Sequence, residues 1–186
     1  MKGIFSTSIL IILLTISSIA QRSKKDDSNG DYYMLKGSVY EVDMITENEK
    51  KASDVQVVVY QDHELFVAFF TDAAGAYEFF LPLGHSYEVW FGGAAFVNKK
   101  VAVDATQFPK ERKPRTVTLD MGLFRPIEGV EFPMLNTPFV NIRYDAEMDE
   151  ISPDFEFTGR KTEELNKYFV KIKKDLDKKN KKKKKG

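Results

Sequence analysis

The chain contains no cysteine, which excludes disulfide staples, thiolate metal sites and cysteine nucleophiles. Two histidines among 186 residues are too few for most histidine-built metal or acid–base centres. Motifs that announce chemistry are missing too. No Gly-x-Ser-x-Gly, no His-Glu-x-x-His and no phosphate-cradling glycine loop occurs. The one strongly apolar run, around residues 9–14, is shorter than the roughly 20 residues that span a bilayer. No catalytic or cofactor-binding residue is therefore expected, and no metal site.

What is present begins with an address. Lys2 supplies a positive start, Ile9–Leu14 an apolar centre, and Ser18-Ile19-Ala20 small residues before a cut at Gln21. Residues 1–20 are expected to be a signal peptide, leaving a mature chain with no transmembrane span. An exported chain without disulfides fits the bacterial envelope: periplasmic or outer-membrane-associated, or extracellular. The net charge of +0 hides an asymmetry. Residues 21–160 hold 24 acidic and 15 basic side chains, a balance of −9, whereas residues 161–186 hold 12 lysines against four acids, a balance of +8. An acidic body carries a basic end.

After a polar leader, 21–31, which the composition marks as disordered, residues 32–121 read as seven short strands with turn signals between them. Val55–Tyr60 is β-branched enough for a central strand. Gln61–Glu64 is a hairpin turn, and Thr71-Asp72-Ala73-Ala74-Gly75 a turn before the aromatic strand Ala76–Leu81. Pro82-Leu83-Gly84 is a strand break. The fold expected is all-β, a seven-stranded antiparallel Greek-key sandwich. Its predicted core is Val57, Val59, Phe69, Tyr77, Phe79, Leu81, Tyr87, Val89 and Val101. Residues 122–160 read as an extended arm that includes one short alternating strand, Phe139–Tyr144. A helix is expected over 161–177, capped by Thr162, with Leu165, Phe169, Ile172 and Leu176 on one stripe. Residues 178–186 form a lysine run whose self-repulsion predicts disorder.

Leu35-Lys36-Gly37-Ser38-Val39-Tyr40, Ala52–Val57, and Thr71–Phe79 continuing through Leu81-Pro82-Leu83-Gly84 to Tyr87 together resemble the carboxypeptidase regulatory-like domain, over about half of the chain. That resemblance implies a transthyretin-like sandwich of the type exported by Bacteroidota, one that binds or braces rather than catalyses. It also singles out Thr71, Asp72, Gly75, Pro82 and Gly84 as turn-defining. Asp72 can accept hydrogen bonds from the turn backbone, and Gly75 can take a positive φ. The related hydroxyisourate hydrolase needs a His/Arg-rich site, which the chain lacks.

Other readings carry less. His63 and His85 fall in a turn and a break, where surface positions are expected. The acidic run Asp145, Glu147, Asp149, Glu150, Asp154 offers oxygen ligands but lacks the central glycine and terminal glutamate of a Ca²⁺ loop. A Lys–Asn cross-link from Lys36 finds no Asn in Thr116–Asp120. Lys178, Lys179, Lys181, Lys182, Lys183, Lys184 and Lys185 are the candidate tether to an envelope protein or an anionic surface, either lipid head groups or polysaccharide. Export argues against nucleic acid as a partner. The function expected is a non-enzymatic structural or protein-interaction module of the cell envelope. The alternative is a small carbohydrate- or peptide-binding protein that uses exposed Trp90, Phe91 and Phe96. A hydrolase using paired carboxylates of the acidic arm ranks last.

Overall fold

The structure is a computed structural model, and residues 31–44, 46–109 and 116–183 are described. The expected signal peptide, nearly all of the leader, and residues 184–186 lie outside them. Eleven strands are seen among the described residues: β1 Tyr32–Val42, β2 Glu49–Lys51, β3 Gln56–Gln61, β4 Glu64–Phe70, β5 Ala76–Pro82, β6 Ser86–Gly92, β7 Lys99–Asp104, β8 Thr116–Thr118, β9 Met121–Leu123, β10 Val140–Asp145 and β11 Glu150–Pro153. A 3-10 turn spans Pro133–Asn136, and the helix α1 runs from Phe155 to Lys183.

The strands form two sheets. In one, β1 is the spine, with β5 and β8 along its first half and β2 and β9 along its second. The other has the order β11-β10-β7-β6-β3-β4. Alternation decides what each buries. Tyr33, Leu35, Tyr77, Phe79 and Leu81 from the first sheet meet Val57, Val59, Val89, Phe91, Val101 and Val103 from the second in one core. Aromatic rings meet across the two layers: Tyr77 and Phe91 have centroids 5.0 Å apart, Phe69 and Phe79 5.5 Å. Every expected core residue is buried except Phe69, which is half-buried against the core.

The structure corrects the expected architecture in strand number and direction. β8 and β9 run parallel to β1, and β10 runs parallel to β7, so both sheets are mixed. Within the supposed arm the strand expected over Phe139–Tyr144 is β10, its Val140 and Ile142 side chains inward in register with Val101 and Val103, and the arm also supplies β11 and most of β9. The helix starts earlier than its periodicity implied. Asp154 Oδ1 accepts the Phe157 N–H at 2.9 Å, and the Asp154 carbonyl accepts the Thr158 N–H, so Asp154 after Pro153 is the N-cap. Thr162 lies inside the helix, donating its hydroxyl to the Thr158 carbonyl at 2.9 Å. The helix also continues to Lys183, past the expected end at 177.

Candidate functional site

The turn residues hold the sandwich's two layers in register. Asp72 Oδ1 accepts the Ala74 and Ala76 N–H groups at 2.9 and 2.8 Å. Thr71 is buried, its hydroxyl accepting from Val55 N–H and donating to the Ala52 carbonyl. Gly75 has φ +71°, and a Cβ there would meet the Val39 carbonyl oxygen at 2.6 Å; its own carbonyl accepts from Val39 N–H at 2.8 Å. At the break, the Pro82 carbonyl accepts the Tyr87 hydroxyl at 2.6 Å, and Gly84 (φ +91°) donates to Ala105. These five residues brace the scaffold.

Both histidines stand at one corner. The hairpin residues Asp62 and His63 take φ 49° and 72°, the double positive-φ turn that suits right-twisted strands. Asp62 reaches across to the break: its Oδ2 lies 2.6 Å from His85 Nδ1, and its Oδ1 accepts from Ser86 N–H at 3.1 Å and from the Ser86 hydroxyl at 3.2 Å. These contacts hold the Asp62 carboxyl below the usual range, the His85 bond first among them. His85 and Ser86 thus both bond to the Asp62 carboxyl, tying the start of β6 to the hairpin. Beside this corner lies an open groove of about 370 Å³ lined by His63, Ser86, Tyr87, Glu88, Asp104 and Thr106, among others.

Three of the five acids in the run make local bonds. Asp145 Oδ1 accepts from Glu147 and Met148 N–H, Asp149 accepts the Tyr144 hydroxyl at 2.6 Å, and Asp154 caps α1. Among the described residues no group of three or more His, Cys, Asp or Glu is placed to hold a metal ion.

A buried cation is the feature the sequence reading missed. Lys99 is 7% exposed, and its ammonium lies 4.3 Å from the Phe139 ring centroid and 5.7 Å from that of Phe124. No carboxylate among the described residues pairs with it, and burial pushes its pKa down to about 8. The ring faces supply what attraction it has. Phe124 also packs on Phe132 and Phe169, centroids 4.8 and 4.9 Å apart, so Lys99 sits at the foot of the cluster on which α1 docks. The signal was in the alternation: Lys99 has the parity of Val101 and Val103, hence the inward face.

Two exposed surfaces complete the candidates. The helix buries Leu165, Phe169 and Ile172, while Leu176 is 38% exposed. Lys161 Nζ donates to Thr137 Oγ1 at 2.8 Å, and the Tyr168 hydroxyl to the Glu131 carbonyl at 2.9 Å, pinning its first turns. Beyond Ile172 the helix continues for 11 residues, Lys173 to Lys183, roughly 16 Å at the usual rise. Lys171, Lys173, Lys174 and Lys178 are exposed on it. Of the predicted tether, Lys179 and Lys181–Lys183 continue the helix, and Lys184 and Lys185 lie outside the described residues. The second surface is β4, the end strand of its sheet. Leu65, Phe66 and Phe70 are 64%, 37% and 60% exposed.

The aromatic site expected for a carbohydrate or peptide does not exist as drawn. Phe91 and Phe96 are buried in the core, because Phe91 shares the inward parity of Val89. Trp90 alone faces outward, half-buried under Lys100, whose ammonium lies 4.6 Å from its ring centroid.

No family model matches the chain, and no curated protein matches it. Solved structures do. The minor pilin GBS52 of Streptococcus agalactiae has a TM-score of 0.37 at 16% identity, covering 55% of this chain and 48% of that one. A 3-chlorocatechol 1,2-dioxygenase of Rhodococcus opacus 1CP has 0.38 at 11% identity, covering 55% and 62%. A catechol 1,2-dioxygenase of Acinetobacter sp. ADP1 has 0.37 at 13% identity, covering 61% and 57%. The chain thus spans about half to three fifths of their lengths. The dioxygenases correct the expectation that the chain is not an enzyme. That exclusion is withdrawn, while likeness at this level assigns no activity. Among the described residues no helix is long and apolar enough to cross a membrane. The chain is mostly β, with two mixed sheets and one C-terminal helix.

Proposed function

We propose that the chain is an exported β-sandwich of the carboxypeptidase regulatory-like type, serving as a structural or protein-interaction module in the bacterial cell envelope. Its basic C-terminal end tethers it electrostatically to an anionic surface of lipid head groups or polysaccharide. The observation that carries this reading is the helix's division of labour. Its first half is fixed to the body by Leu165, Phe169 and Ile172. Its second half projects exposed lysines past the last buried residue. A cation row held away from an acidic body is available to an anionic surface, each lysine contributing up to about 1 kcal/mol at low salt.

Binding to vesicles of anionic lipid, and to acidic polysaccharide, tests it. The full chain should bind at about 0.1 M salt and release toward about 1 M. A chain truncated after Asp177 should bind at least tenfold more weakly. Equal binding of the truncated chain at both salt levels ends the tether reading.

A further inference from the structure

We propose that two copies of this chain associate through β4, strand against strand, so that their six-stranded sheets continue across a two-fold axis. Among the described residues β4 pairs only with β3, so its outer row of backbone donors and acceptors faces away from the sheet. Leu65-Phe66-Val67-Ala68-Phe69-Phe70 contains no charge and no proline. Exposed edges are ordinarily blunted by lysine, proline, brevity or a covering element. β4 shows none of these over Val67–Phe70; its single irregularity lies opposite the Val59/Tyr60 step, near the hairpin end.

The apolar character continues inward from the edge along the middle row. The register rows run Leu65–Tyr60, Ala68–Val58–Trp90 and Phe70–Gln56, and these alternate side chains occupy the outer face. The edge and the strip beside it therefore form one surface.

A second copy is the occupant this strand fits. An antiparallel edge is complementary to itself: a two-fold axis turns the strand end for end and sets the same residues opposite each other. Because Leu65–Phe70 is uncharged, no like charges face one another across that axis. A two-fold at Val67 pairs the whole strand with itself, Leu65 of each copy opposite Phe69 of the other and Phe66 opposite Ala68, large against small. The size of the seam sets its strength. At the exposures above, Leu65, Phe66 and Phe70 bring about 300 Å² per copy. That is well short of the roughly 800 Å² per partner of a standard interface. The dimer is accordingly weak and concentration-dependent, in the micromolar range.

The acidic bodies oppose association at long range, and salt screens that repulsion. Edge pairing therefore tightens with salt, whereas tethering through the lysines loosens. The two readings stand or fall separately.

Sedimentation equilibrium of the purified protein up to about 1 mM, at about 0.1 M and about 1 M salt, decides the matter. The expected result is a monomer–dimer equilibrium that tightens with salt. Leu65→Lys and Phe70→Lys should each raise the dissociation constant at least tenfold, since both side chains are exposed and the fold does not need them. Phe155→Lys, on the 74% exposed first residue of α1, should leave it unchanged, as should truncation after Asp177. A chain that stays monomeric throughout overturns the proposal. So does a Phe70→Lys protein that associates like its parent, or loss of association in Phe155→Lys. Dimerisation that appears only when residues 21–30 are removed also overturns it, by showing that the leader occupies the edge.

Discussion

The two edges of the six-stranded sheet have been treated in opposite ways. β11 is four residues long, carries Glu150 and ends in Pro153, and its chain turns directly into the helix capped by Asp154. Arg143 Nη2 reaches Asp154 at 3.2 Å from the neighbouring strand, tying β10 to the cap. β4 is seven residues long, uncharged after Glu64, and among the described residues pairs only with β3. One edge is blunted by brevity, proline and charge and leads directly into the helix; among the described residues the other shows none of these over Leu65–Phe70. Since each of those devices is a standard defence against strand addition, their presence on β11 makes their absence on β4 informative.

The closed side should be the more fragile to truncation. Phe169 packs on Phe124 and Phe132, with centroids 4.9 and 5.4 Å away. Phe169→Ala should cost about 3–5 kcal/mol, the usual range for an emptied aromatic site. Chemical denaturation would show it, with limited proteolysis locating the released segment at α1. A cost below about 1 kcal/mol would mean that the Phe124–Phe132–Phe169 cluster does not hold the helix to the body.

Lys99 gives the next largest effect, and its sign is opposite to that of a paired lysine. Its folded-state pKa, about 8, lies below the ordinary 10.5, so between those values the unfolded chain holds the extra proton. Stability therefore rises with pH across that window, by at most about 3 kcal/mol, less whatever the two ring faces return to the charged form. The tyrosines act the other way. Burial raises Tyr33, Tyr77 and Tyr87, so stability falls as pH climbs past 10. Melting curves should show a maximum near pH 10, where the two windows meet. Lys99→Met should flatten the rise on its alkaline approach, while keeping or improving stability at pH 7. An unchanged profile would place the ammonium in solvent.

Asp154→Ala removes the cap and the Arg143 contact together, and should cost about 1 kcal/mol. Its test is the same denaturation series. Restoration by Asp154→Asn, which keeps the cap without the charge, separates the cap from the ion pair.

The contrast between the edges also shows what could be read in advance. The hairpin at Asp62-His63, the Thr71–Gly75 turn and the inward parity of Tyr77, Phe79 and Leu81 were legible because each is local: a few residues dictate a few dihedrals. The stripe of Leu165, Phe169 and Ile172 was legible, but not that it docks on the body. What escaped is non-local. Phe139–Tyr144 alternates like a strand, but only the structure shows that β7 accepts it in parallel. Of the three short strands beside β1, β2 and β9 hold no periodicity long enough to see. The helix start was misplaced because Asp154 lies within an acidic run and competes with Thr162 as a cap signal. Lys99 was passed over because a charged residue at an inward position contradicts the usual rule for buried side chains.

The smallest effect tests the open edge directly. In the monomer, at concentrations too low for association, Phe70→Lys should change stability by no more than about 0.5 kcal/mol, as for other exposed positions. Phe70 pairs with Gln56 through its backbone alone, and its ring is 60% exposed. Ile151→Lys on the other edge should cost several times more, because Ile151 is half-buried against the core. Equal costs would erase the distinction between the edges. A large cost at Phe70 would show that its ring holds β4 to the sandwich. A bare edge that tolerates charge in the monomer, yet loses association when charged, is a surface retained for contact with another strand and not for folding.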